Sequence, residues 1–261
     1  MDVIIALACV ALVLAQAAVL NAGGRERSKR EVCLANLRML TAAWKAYADD
    51  NAGKIVCGDA EEYGDWETST GAYASNGNHY KEKPWVLQDW GTPLLPINER
   101  KQKIMDGALF RFVKDVKAYK CPRALADETR SFSVIDGMNV IVIPATVTGR
   151  PAILIKNRQQ IKKTYERMIF VDDGGVEGKT MGGWTVTFEN PPRWWDPPSA
   201  RHGDGTTFSF ADGHAEYHKW LEPSTLQCAK DITTASCAVP TTQMRDLKWA
   251  QVAAWGSDVA K

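Results

Sequence analysis

Residues 3–20 read VIIALACVALVLAQAAVL, an apolar run in which Gln16 is the only polar side chain. At about 1.5 Å rise per residue, a helix over this run is roughly 27 Å long, enough to cross a hydrocarbon core. Only Met1-Asp2 precede it. They lack the Lys or Arg of a signal-peptide start, and the run is long for a signal core. The stretch is therefore read as a retained stem, residues 1–24, rather than an export signal cleaved near LAQAA.

Working outward, Gly23 and Gly24 follow, and glycine pairs weaken a helix. Arg25, Arg27, Lys29 and Arg30 then outnumber Glu26 and Glu31. From there Cys33, Leu37, Leu40, Trp44 and Tyr47 recur at steps of four and three, an apolar helical face with Asn36, Arg38, Lys45 and Asp49 opposite. Residues 25–53 thus read as the amphipathic half of the same helix, stopped by Asp49-Asp50-Asn51-Ala52-Gly53.

Residues 54–261 form the head. The chain has 261 residues and a net charge of +1, so bulk electrostatics point to no nucleic-acid partner. The segment 54–100 is acidic, then rich in Gly, Ser, Asn and Trp, and reads as irregular. A helix is expected around 99–115. Beyond Ala118 the pattern turns to strands: SFSVIDG, MNVIVIPATV, PAILI and ERMIFVDD. In TTFSFADGHAEYHKW, residues 206–220, Asp212-Gly213 between alternating runs predicts a two-residue hairpin. Ala211 then faces His214, and Phe208, Phe210, Ala215 and Tyr217 share the apolar face. The expected class is α+β, a long N-terminal helix packed on an antiparallel sheet with long loops.

Six cysteines include no C-x-x-C pair. Cys228 and Cys237 enclose a short polar loop in which a disulfide is geometrically easy, which suits an oxidising compartment. That opposes the basic flank of the stem, which alone places the head in the cytoplasm. The extracytoplasmic reading is carried forward. Cys33 reads as a core thiol or half of a disulfide. Asp172 and Asp173, between a buried strand and Gly174-Gly175, offer calcium two carboxylates together with backbone carbonyls; no cofactor is required. His202, His214 and His218 with Asp204 and Asp212 read as a polar hairpin face, with a metal cluster the sharper alternative. Catalysis has little support, since the chain lacks G-x-S-x-G, H-E-x-x-H and a P-loop. Of ten tryptophans, Trp66, Trp85, Trp90, Trp184, Trp194 and Trp195 fall in loop contexts. They read as packing under loops, or alternatively as a glycan-binding surface.

Three motifs in order resemble type IV pilin-like proteins of the prepilin-type group whose signature is His, nine residues, then Asp-Gly. These are CLANLRMLTAAWKAYADDNAGK from Cys33, YKCPR around Cys121, and His202 followed by nine residues and Asp212-Gly213. The resemblance implies a pilin fold and a structural, non-enzymatic role. It implies a stem anchored first in the cytoplasmic membrane and then packed with other copies in a helical homopolymer at the cell surface. Inner-membrane assembly machinery and a prepilin peptidase are the implied partners, besides membrane lipid. Asp2 would take the place of the family's acidic residue near the start of the helix, in an ion pair costly to leave unmatched. With Gly23 and Gly24 it forms the expected assembly set, and His202, Asp212 and Gly213 the structural motif. The resemblance favours pairing Cys33 with Cys121, with Cys57 an equally reachable partner. The alternative function is a membrane-tethered, Trp-rich glycan-binding protein that does not polymerise.

Overall fold

The computed structural model describes residues 2–60, 82–89, 94–140, 154–175, 180, 183–231, 233 and 235–258, with side chains from Gly23 onward. Asp2, the run at 3–20, Trp66 and Trp90 therefore lie, wholly or in their side chains, outside the described residues. Among those described, no helix is long and apolar enough to cross a membrane.

The architecture is mixed α/β. Helix α1 (Asp2–Asp50) runs unbroken for 49 residues, passing through Gly23 and Gly24, where an added Cβ would meet nothing within 4 Å. Its helical period buries Cys33, Leu37, Leu40, Thr41, Trp44 and Ala48 in one stripe, while the side chains at 23–28 are exposed. Burying each large apolar member contributes about 1.5–3 kcal/mol. The predicted stop is observed: Ala52 and Gly53 turn left-handed, the Gly53 N–H donates to Ala48 O, and Asn51 Nδ2 donates to Tyr47 O at 2.7 Å.

The single helix expected at 99–115 is instead two. α2 (Ile97–Met105) and α3 (Phe110–Val113) are separated at Gly107, where a Cβ would sit 2.1 Å from Trp85 O. Only glycine permits that approach.

Strands β1 (Phe132–Ile135), β2 (Met168–Asp172), β3 (Gly183–Trp184), β5 (Gly205–Phe210) and β6 (Ala215–Lys219) form one sheet in the order β3-β1-β2-β5-β6. β4 (Arg193–Trp194) pairs with β7 (Cys237–Ala238). The main sheet is mixed rather than purely antiparallel, because β3 runs parallel to β1. The strand expected over MNVIVIPATV begins as a turn at 136–139, with Asn139 left-handed; residues 141–153 lie outside the described ones.

Both faces of the sheet are covered. On one, α1 packs against Phe132, Val134, Phe170, Ala211 and Ala215. On the other, Met168, Val171 and Phe208 meet Trp184, Trp194, Trp220 and the C-terminal α5 (Arg245–Trp255). Sequence reasoning missed α5, although Leu247, Ala250 and Ala254 carry its helical spacing. Of the six tryptophans read as lying in loops, Trp85, Trp184 and Trp194 are buried and Trp195 is half-buried, while Trp66 and Trp90 lie outside the described residues. α4 (Pro223–Lys230) carries Cys228 to its predicted disulfide with Cys237, Cα atoms 6.0 Å apart.

The hairpin is present, but its register differs by one residue. Ser209 pairs with Ala215 and Phe208 with Glu216, so the loop is Ala211-Asp212-Gly213. The Gly213 N–H donates to Phe210 O, and the Phe210 N–H donates to His214 O. Gly213 at φ +111° supplies the left-handed residue that closes a three-residue loop. A one-residue slip sends paired side chains to opposite faces. Thr207, Ser209, Ala215 and Tyr217 therefore face α1, while Phe208 and Phe210 face the tryptophan layer. His218 is half-buried rather than fully solvent-facing, its ring stacked on Trp249 at 3.5 Å.

Candidate functional site

Four elements meet at one buried point. Cys33 comes from the inward stripe of α1, and Cys121 from the connector after a short 3-10 turn (Val116–Tyr119). Asp172 is the last residue of β2, and His202 lies in the bend before β5. One donor atom from each of these four lies within 4.8 Å of the others. Cys121 Sγ is 3.3 Å from His202 Nε2. Asp172 Oδ2 is 3.7 Å from Cys33 Sγ and 3.7 Å from His202 Nε2.

Local structure explains why these side chains converge. A strand's alternation puts Asp172 on the α1 face, beside Phe132 and Phe170. His202 is held by the narrow bend before β5, its N–H donating to Gly205 O. Cys121 is fixed when its N–H donates to Ser131 Oγ at 2.8 Å.

An outer ring of donors surrounds the group. Thr207 Oγ1 hydrogen-bonds Cys33 Sγ at 3.0 Å, and the Arg123 N–H donates to Cys121 Sγ at 3.3 Å. Ser131 Oγ donates to Asp172 Oδ1 at 3.2 Å, and Arg201 Nε lies 3.4 Å from the same oxygen. Arg201 also grips the buried Glu128 with two bonds of 2.8 and 2.6 Å. His202 Nδ1 is buried with no hydrogen-bond partner among the described residues.

Burial works against the charged form of each group, though Asp172 stays largely ionised at pH 7. Burial pushes the Asp172 carboxyl up to about 6 and the His202 imidazole down to about 4. Burial also raises the Cys33 and Cys121 thiols. Hydrogen bonds from Thr207 and the Arg123 N–H pull the thiols back down, yet the net shift of both is upward, away from the thiolate of an activated nucleophile. Its four atoms are instead the donor types that hold a soft or borderline divalent cation.

The other residues singled out from sequence distribute as follows. Asp173 does not join Asp172 in a calcium pair. The two residues project to opposite faces, and Asp173 accepts from Ser133 Oγ at 2.8 Å and from the Gly175 N–H. Strand alternation thus turns the two carboxyls apart. Cys57 lies apart, bridged to Pro84, its thiol directed at Asp59 O. Cys33 and Cys121 are neighbours but free thiols.

His214 and His218 share a sheet face as expected, yet they do not converge: His214 stacks on Phe210 and bonds Asp212 Oδ1 at 2.7 Å. Asp212 and Gly213 build the turn, which α1 reaches through Lys45 Nζ donating to Asp212 O at 3.0 Å. Gly23 lines a groove with Glu26, Arg27, Arg30, Arg123 and His202. The sequence reading missed Arg201, Thr207, Ser131 and Glu128. The adjacency of Arg201 to His202 was the one available signal.

Comparison with protein-family models, with curated proteins and with solved structures finds no match to this chain.

Proposed function

We propose that the chain is a structural subunit of a pilin-like extracellular filament, anchored in the cytoplasmic membrane before assembly and displayed at the cell surface afterwards. The observation that carries this reading is the single 49-residue helix, about 74 Å long at the usual rise. Its C-terminal part is spent as an amphipathic face against the head. Its N-terminal part has an apolar sequence on every side, and a helix of that kind needs lipid or other helices around it. The head supplies the outer surface, and stems of neighbouring copies supply the core through close packing. Assembly machinery of the inner membrane, a processing peptidase and the Asp2 contact belong to the same reading.

The test is electron microscopy of sheared cell-surface material combined with N-terminal sequencing. Filaments whose subunit keeps residues 3–20 support the proposal. Soluble monomers beginning after about residue 20 overturn it and make the run an export signal.

A further inference from the structure

The geometry points to a zinc-class metal site formed by Cys33, Cys121, Asp172 and His202, a four-ligand structural centre that ties α1 to the head. The inference goes beyond the filament reading and does not rest on it.

Distances carry the first part of the argument. Zinc bonds run about 2.3 Å to sulfur and about 2.0–2.2 Å to nitrogen and oxygen, so the edges of a tetrahedral site are about 3.3–3.8 Å. The three edges at 3.3, 3.7 and 3.7 Å already match, and every remaining donor pair lies within 4.8 Å. Half of the six edges thus stand within a few tenths of an ångström of the length an ion requires.

Charge carries the second. Two thiolates, one carboxylate and a neutral imidazole around a divalent ion leave one negative charge, with the Arg201 guanidinium, shared with Glu128, 3.4 Å from Asp172 Oδ1. Without an ion, four titratable groups crowd a volume that burial makes hostile to charge. A bound cation inverts that logic. Binding expels the two thiol protons to solvent, with no redox change at the metal.

Support around the ligands carries the third. Thr207 Oγ1 hydrogen-bonds one sulfur, the Arg123 N–H donates to the other, and Ser131 Oγ donates to the carboxylate, the outer-shell pattern that orients metal ligands. The groove lined by Glu26, Arg30, Arg123 and His202 provides a route from solvent. The two sulfurs also lie side by side as thiols in a chain whose other close pair is a disulfide. Coordination protects such thiols from oxidation.

The experiment counts metal in the full-length chain purified from zinc-supplemented cells, by elemental analysis and native mass spectrometry, followed by exchange with cobalt(II). The expected result is one zinc per chain. It is retained in Cys57→Ser and falls to less than about a tenth in Cys121→Ser and His202→Ala. The cobalt form of the unaltered chain shows the visible bands and thiolate charge transfer of a tetrahedral sulfur site. That spectrum stands even where a variant fails to fold. A Cys33–Cys121 disulfide in peptide mapping, zinc below about a tenth per chain, or zinc retained after loss of Cys121 each overturns the assignment.

Discussion

Replacing Arg201 with Met tests how the connector carrying Cys121 is locked to the end of β2. Arg201 holds Glu128 through a two-bond fork of 2.8 and 2.6 Å, and it also donates to Asp173 O at 3.0 Å. The carboxylate is fully buried and the guanidinium about 10 % exposed. Removing one member of such a pair leaves the other charge stranded and costs about 3–5 kcal/mol. Glu128 keeps one bond from the Leu125 N–H at 2.7 Å, so a loss of about 4 kcal/mol at pH 7 is expected.

The sign with pH follows from Glu128. Burial already raises its pKa with Arg201 present, and without the cation it rises further. A carboxyl raised in the folded state stabilises below its unfolded pKa, and the benefit is lost as pH rises. The deficit of Arg201→Met therefore shrinks on acidification, by about 1.4 kcal/mol per pH unit. Equilibrium urea unfolding followed by tryptophan fluorescence reads this at pH 7 and pH 4.5. Adding Glu128→Gln should recover part of the loss, and Arg201→Lys should retain charge without the fork. A loss under about 1 kcal/mol, equal at both pH values, refutes the reasoning.

Three further outcomes are expected. Replacing both Gly23 and Gly24 with Ala should stabilise α1 by about 1 kcal/mol per site, because the space around them is open. Slowed amide exchange around residues 23–28 reports it, and unchanged exchange and filament rise count against a weakened junction. Gly213→Ala should cost about 1–2 kcal/mol in urea unfolding through strain at positive φ rather than collision, since the nearest atom to an added Cβ is Lys45 Nζ at 3.5 Å. Burial against Trp249 pushes the His218 imidazole down to about 4. Its contribution is full above about pH 6.5 and is lost as pH falls toward 4, by about 2 kcal/mol for a partly exposed ring. Acid titration of stability in His218→Gln should show a shallower slope, and an unaltered slope would place the acid sensitivity elsewhere.

The second half of α1 was legible because its burial follows a period that one chain segment displays by itself. Its end was legible through Asn51 and Gly53. The hairpin was located by Asp212-Gly213, yet its register escaped. Both a two-residue and a three-residue loop satisfy the same letters, and only the sheet's double burial decides between them. That second layer was invisible because α5 lies far along the chain and supplies the cover that makes Phe208 and Phe210 interior. The convergence of Cys33, Cys121, Asp172 and His202 is likewise tertiary, since no local pattern states which loops end up adjacent. Even so, the nine-residue gap from His202 to Asp212 has a physical meaning. It is the bend, strand and turn of β5, with His202 at the buried cluster and Asp212 at the far end beneath Lys45.

The contacts from Cys33 to Thr207, Thr41 to Ser209 and Lys45 to Asp212 are staggered along α1, as rivets are along a lap joint. A pull on the N-terminal end of the helix loads them in shear and together, over about 18 Å of helix. They are not peeled apart one at a time. The head is thereby made into a fixed flange on its own shaft, so tension carried by the helix reaches β5, β6 and the strands beside them without first extracting the helix.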